Sequence, residues 1–210
     1  MLISEEDWKI DIETPRLIIR PFNPDDWRDL YEYLSQPETV RFEPYGVYTV
    51  DEAKEEARRR AECMAFRAVC LKQGGSGAIG DTNSTGKPKL IGNIYFEKHG
   101  YGNWGLGYVF NSGYLRKGYA TEAARAVIDY AVREFGGYAA SGPFSGLGVH
   151  RVTASCDPQN TASWRLLERL GFRREGHLRS NVHFHTDKSG APIWKDTYLY
   201  AMLAEDWPVK

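Results

Sequence analysis

The stretch "LGYVFNSGYLRKGYATEAARAVIDYAV", residues 106–132, decides the fold. Its first part reads as a strand, because Leu106, Tyr108 and Phe110, with Trp104 just before them, alternate onto one face. Its last part reads as a helix: Ala120, Ala123, Ala124, Val127, Ile128, Ala131 and Phe135 recur at helical spacing, and Gly136 and Gly137 suit the C-terminal exit. The join between them is unusual. Arg116 and Lys117 stand where the positive end of a helix dipole favours acids. A strand that runs through a Gly-containing loop into a helix offers unpaired backbone N–H groups to an anion. Gly118 lets the main chain approach such a ligand closely, and Ala120 and Thr121 keep the first turn slim. The anion is not that of a P-loop or a dinucleotide fingerprint, since "LRKGYAT" lacks the GK[ST] order and "GLGYVF" lacks the third glycine.

Upstream, "TPRLIIRPF" predicts a first strand and "NPDDWRDLYEYL" a helix, with Asn23 as N-cap, Pro24 at the first helical position and Trp27, Leu30, Tyr31 and Leu34 at helical spacing. "TVDEAKEEARRRAE" predicts a second helix through the capping box of Thr49 and Glu52. "FRAVCL" reads as a strand and "KQGGSGAIGDTNSTGKP" as a loop. "KLIGNIYFEKHGYGNWGLGYVF" reads as an antiparallel hairpin. Downstream come a loop, "YAASGPFSGLGV", then a strand, "HRVTASCD". A helix follows in "NTASWRLLERLGF", capped by Asn160 and stopped by Gly171, and strands in "HLRSNVHFH" and "DTYLYAML" around a turn-rich "TDKSGAP". This order predicts a mixed α/β sheet flanked by helices, with residues 1–210 as one domain.

The 210 residues carry 27 Lys plus Arg against 28 Asp plus Glu, a net charge of -1, so no long-range field favours nucleic acid or an anionic membrane. No apolar run approaches the ~20 residues of a membrane helix. "MLISEEDWKIDIETPRL" has neither the basic start nor the apolar core of a secretory signal, and a cytoplasmic protein is expected. Cys63, Cys70 and Cys156 match no disulfide framework or CxxC knuckle and read as reduced thiols. His183 and His185 share a strand face but lack an obvious third ligand, so no metal is expected. Trp27, Tyr31, Tyr45, Tyr48, Trp194 and Tyr198 read as core and pocket wall rather than as a base-stacking platform.

Four segments, in register over nearly the whole chain, resemble the GNAT superfamily of acyl-CoA N-acyltransferases, in particular the branch similar to the RimJ/RimL ribosomal-protein N-terminal acetyltransferases. They are "TPRLIIRPFNPDDWRDLYEYL", the opening stretch, "HRVTASCDPQNTASWRLLERLGFRREG" and "KDTYLYAMLAEDW". The resemblance implies a GNAT-like fold, a central, mostly antiparallel twisted sheet, and acetyl-CoA as co-substrate. It places the pyrophosphate on the backbone of Arg116, Lys117, Gly118, Tyr119, Ala120 and Thr121. The pantetheine arm is expected along the main chain of Val109 and Phe110, where two strands splay. Asn160 and Ser163 match the family's Asn and Ser at the later helix.

The implied reaction is transfer of an acetyl group to a primary amine, a protein N-terminus or a small molecule, by direct attack. It needs a base, a donor for the oxyanion and an acid for the departing thiolate. The tyrosine that many members use as acid is replaced by Leu167, and Ser163 is the candidate instead. The glutamate many carry before the cofactor loop is matched by Gly105. Glu43, Glu97 or a water chain then remain as routes for the amine proton. Arg116 stands where relatives often have glycine, and the segment from Gly137 to Gly148 is longer than usual for the branch. The absent tyrosine and the glycine at the usual glutamate position also motivate a second reading, a catalytically silent acyl-CoA-binding sensor or assembly module. A homodimer through the C-terminal strands is a further expectation.

Overall fold

A computed structural model describes residues 10–72, 86–135 and 148–208. Most of the predicted loops at 72–88 and 137–148 lie outside these described residues. Among the described residues, eight strands form one sheet in the order β1-β2-β3-β4-β5-β6-β8-β7. They are β1 (Ile12–Glu13), β2 (Leu17–Pro21), β3 (Phe66–Leu71), β4 (Leu90–Lys98), β5 (Asn103–Phe110), β6 (Arg151–Cys156), β7 (Arg173–Thr186) and β8 (Pro192–Leu203). The helices are α1 (Trp27–Leu34), α2 (Pro37–Val40), α3 (Val50–Glu62), α4 (Tyr119–Phe135) and α5 (Thr161–Arg169). Every neighbouring pair is antiparallel except β5 and β6. A parallel pair needs a long crossover, and the chain between these two strands contains α4.

The helix starts follow local chemistry. Asn23 and Asp26 form a reciprocal capping box, which opens a short 3-10 turn over Pro24–Asp26 that continues into α1. Thr49 and Glu52 do the same for α3. The Asn160 side chain accepts the Ser163 N–H at the head of α5, and Gly171, at φ +92°, ends that segment.

Two buried clusters sandwich the sheet. One joins α1 and α3 to strands β2 to β5, with Leu30, Tyr33, Leu34, Ala57, Ala68 and Val109 among its members. The other packs α4 and α5 through Ala124, Val127, Ile128, Leu166 and Leu167 against Trp104, Leu106, Phe110 and Val152. The period of two in β5 therefore sends Trp104, Leu106 and Phe110 to the α4 side and Val109 to the other.

The sequence reading does not find β1 or α2, because two or four residues show no period. It also starts β7 late. The strand begins at Arg173, and register shifts between Arg174 and Gly176 and between Leu178 and Val182 break the alternation that would reveal it.

Candidate active site

β5 and β6 pair only over Asn103–Arg151, Trp104–Val152 and Gly105–Thr153. Beyond Gly105 they part. β5 continues against β4 as far as Phe110, and β6 continues against β8 as far as Cys156. The wedge between them opens into a cleft of about 530 Å³. Leu106, Gly107, Tyr108 and Val109 line one side, Ala154, Ser155 and Cys156 the other, and Asn160 and Ser163 of α5 complete it.

The ladder fixes which amides face this wedge. Asn111 N–H bonds to Ile91 O at 2.9 Å, and His99 N–H to Asn103 O at 2.7 Å, so the odd-numbered residues of β5 spend their main chain on β4. The even-numbered residues point the other way, as Gly102 shows by accepting from His150 N–H at 2.9 Å. Tyr108 and Phe110 therefore turn their amides toward the wedge. Val109 lines the cleft, but its main chain pairs with β4, so of the two residues expected to meet the pantetheine only Phe110 turns its amide to the wedge.

The head of α4 has the form of an anion cradle. Its first intrahelical bond is Glu122 N–H to Gly118 O at 3.0 Å, which leaves the N–H groups of Tyr119, Ala120 and Thr121 without a carbonyl inside the helix. Gly118 has φ +83°, and Arg116, where a side chain is disfavoured, has φ +61°. Lys117 carries its Nζ over the Tyr114 ring at 5.2 Å. The sequence reading missed Arg16. Its Nη1 donates to Lys117 O at 2.9 Å, its Nε to Glu122 Oε2 at 2.7 Å, and its guanidinium covers the Tyr119 ring at 4.6 Å. The partners are about a hundred residues away in sequence, so no local signal reveals them.

Of the expected catalytic side chains, Ser163, Asn160 and Glu43 meet in the one cleft. The Asn160 side-chain oxygen Oδ1 is engaged as the cap, accepting from Ser163 N–H at 3.2 Å, so it positions Ser163. Burial pushes the Glu43 carboxyl up to about 6, against the opposing pull of the Tyr45 hydrogen bond and the Arg60 charge. Glu43 shares its wall with Tyr45 and Tyr48, which pack edge to face at 5.3 Å. Beneath lies a buried network: Arg60 donates to Asn93 Oδ1 at 2.9 Å and to Glu56 Oε1 at 2.7 Å, and Tyr33 O–H reaches the same Asn93 oxygen at 2.9 Å.

Glu97, the other candidate base, is exposed on β4, bonds to the Tyr95 hydroxyl and does not line the cleft. Gly105 leaves room that His99 fills, since a Cβ there would lie 2.5 Å from His99 Nε2. Leu167 is buried in the core. Among the described residues, no group of three or more His, Cys, Asp or Glu side chains is gathered as a metal would require. Cys63, Cys70 and Cys156 are free, and no described helix is long and apolar enough to cross a membrane.

A wedge of unpaired strand amides, a helix-head anion cradle and a cleft bearing a carboxylate and a hydroxyl define an acyl-transfer class of site. Residues 16–173 match the family model described as an acetyltransferase (GNAT) domain. The chain is 33% identical over 198 residues to the uncharacterized N-acetyltransferase YnaD of Bacillus subtilis, covering 93% of this chain and 98% of that one. It also superposes on the crystal structure of a GNAT-family acetyltransferase from Bacillus anthracis with a TM-score of 0.73 at 31% identity, covering 94% and 100% of the two chains. Over 102 residues it is 30% identical to the [ribosomal protein uS5]-alanine N-acetyltransferase of Escherichia coli, covering 49% of this chain and 43% of that one. The chain belongs to the GNAT acetyltransferases, enzymes that use acetyl-CoA, and its activity is N-acetyl transfer. The reading as a silent binding module gains no support from these relatives.

Proposed function

We propose that this chain is a single catalytic domain of the RimJ/RimL-like branch, acting in the cytoplasm on the α-amine of a protein N-terminus. The partial likeness to the Escherichia coli enzyme named for ribosomal protein uS5 supports the branch. The observation that carries the chemistry is the joint lining of one cleft by Glu43, Ser163 and the diverging strands β5 and β6.

The pyrophosphate of acetyl-CoA lies against the amides of residues 116–121, with Arg116 and Lys117 supplying charge. The pantetheine pairs with the even-numbered amides of β5, and one of these, at Tyr108 or Phe110, donates to the thioester oxygen as negative charge builds there. The neutral amine attacks the carbonyl carbon and gives up a proton to Glu43. The C–S bond breaks with its electron pair on sulfur, a proton passes from Ser163 Oγ to the thiolate, and both side chains exchange their protons with solvent.

Thiol release from acetyl-CoA over a panel of N-terminal peptides, polyamines and amino acids tests the acceptor. Release with peptides bearing a free α-amine is expected. Release with small amines alone would overturn the protein-acceptor reading. The proposed homodimer rests on the exposed Leu178, Phe184, Ile193 and Trp194 of the β7–β8 hairpin, and a sedimentation measurement giving only monomer would remove it.

A further inference from the structure

Ser163 is held by more than its cap. Tyr108, on the face of β5 turned toward α5, sets its hydroxyl 3.0 Å from Ser163 Oγ and 3.1 Å from Ser163 O. Asn160 fixes the Ser163 N–H. Nitrogen, carbonyl and hydroxyl of one residue are thus all located, and only the direction of the hydroxyl proton is left open.

A phenol has one proton and Ser163 offers it two oxygens. If Tyr108 donates to the carbonyl, Ser163 Oγ–H is free to point back at the phenol oxygen, where it is tied up. If Tyr108 donates to Oγ, the seryl proton must point elsewhere. The side chains at hand are few. The Cys156 thiol, hydrogen-bonded to Ser163 and pushed up to about 11 by burial against that bond, is a weak acceptor. Burial also raises Tyr108 well above the ordinary tyrosine range, so it stays a neutral donor at any working pH. A thiolate arriving in the cleft is a stronger acceptor than either neutral group, and its presence selects the second arrangement.

We infer that Tyr108 is a positioning residue for acetyl transfer: by donating to Ser163 Oγ it turns the seryl proton toward the departing sulfur. The inference rests on the reading of Ser163 as the acid, and the position is unlike that of the family's tyrosine, which is matched by the buried Leu167. Donation into Oγ also makes the seryl O–H a better donor, because hydrogen bonds in a chain polarise one another.

The test is a double-mutant cycle of Tyr108→Phe and Ser163→Ala, read as the single-turnover rate of thiol release from acetyl-CoA with the fastest acceptor of the panel. Melting temperature and calorimetric affinity for acetyl-CoA are measured alongside, so that a folding defect is seen as such. Tyr108→Phe is expected to slow the step about tenfold in the wild-type background, with affinity for acetyl-CoA within about twofold. In the Ser163→Ala background the same change is expected to cost less than about twofold. Equal slowing in both backgrounds, or none in the wild type, overturns the role of Tyr108 while leaving Ser163 as the acid. A Ser163→Ala protein that reacts at the wild-type rate overturns the assignment of the acid first, and this inference with it.

Discussion

Arg16, one residue ahead of β2, locks onto Glu122 in the first turn of α4, with Nε 2.7 Å and Nη2 2.6 Å from the same carboxylate oxygen. The Arg16 side chain is 44% exposed, so the pair itself adds under about 1 kcal/mol to stability. Its larger effect is to hold the Lys117 carbonyl and the turn around Gly118 in place. Arg16→Ala is expected to raise the KM for acetyl-CoA about tenfold, change kcat less than twofold and lower the melting temperature only slightly. Unchanged affinity for acetyl-CoA in calorimetry would show that the turn holds its shape unaided.

As the proposed base, Glu43 is expected to give the reaction an acid limb. As a base it must be ionised, so kcat/KM is expected to rise with pH through about 6 and to lose that limb in Glu43→Gln, with a ~100-fold lower rate. Stability runs the opposite way. The carboxyl binds its proton more tightly in the folded chain, about 6 against 4.5 for the free group, so ionising it costs stability as pH rises from 4.5 through about 6. Glu43→Gln is therefore expected to stabilise by about 1–2 kcal/mol at pH 7 and by almost nothing at pH 4. Chemical denaturation at the two pH values measures the difference.

Arg116 holds a left-handed backbone that a side chain pays for with about 1 kcal/mol. In Arg116→Gly the strain goes, but part of the gain is lost to the greater freedom of glycine in the unfolded chain. A stabilisation of about 0.5 kcal/mol is expected, together with weaker acetyl-CoA binding that narrows as salt rises, since one cation at the cradle is gone. Binding isotherms at low and high salt separate the two effects.

Asn160→Ala removes the cap on Ser163 N–H, and about 1 kcal/mol of stability is expected to go with it. Because the same bond orients Ser163, the single-turnover rate should fall more than acetyl-CoA affinity does. Asn160→Asp, which keeps the acceptor oxygen, is expected to recover most of the stability.

What the chain shows on its surface depends on range. The caps at Asn23, Thr49 and Asn160 were legible because donor and acceptor lie within three residues of each other. The turn at the head of α4 was legible because cations at a helix head contradict the dipole. The Arg16–Glu122 pair joins residues 106 apart and leaves no mark on either neighbourhood. The choice of Tyr108 and Phe110 rather than Val109 as wedge-facing amides is a matter of register, and register is set by the partner strand. Gly105 read as an absence; only the packed chain shows His99 standing over it.

The three-pair seam between β5 and β6 also has a mechanical meaning. On the α4 face, one cluster bonds both halves of the sheet, gathering Leu106 and Phe110 with Val152 and Tyr200. On the other face, the cluster stops at β5 and includes nothing from β6 or β8. The sheet is laminated on one side only: the core that spans the seam backs it on the α4 side as a spine backs a book, with the cleft at the open edge.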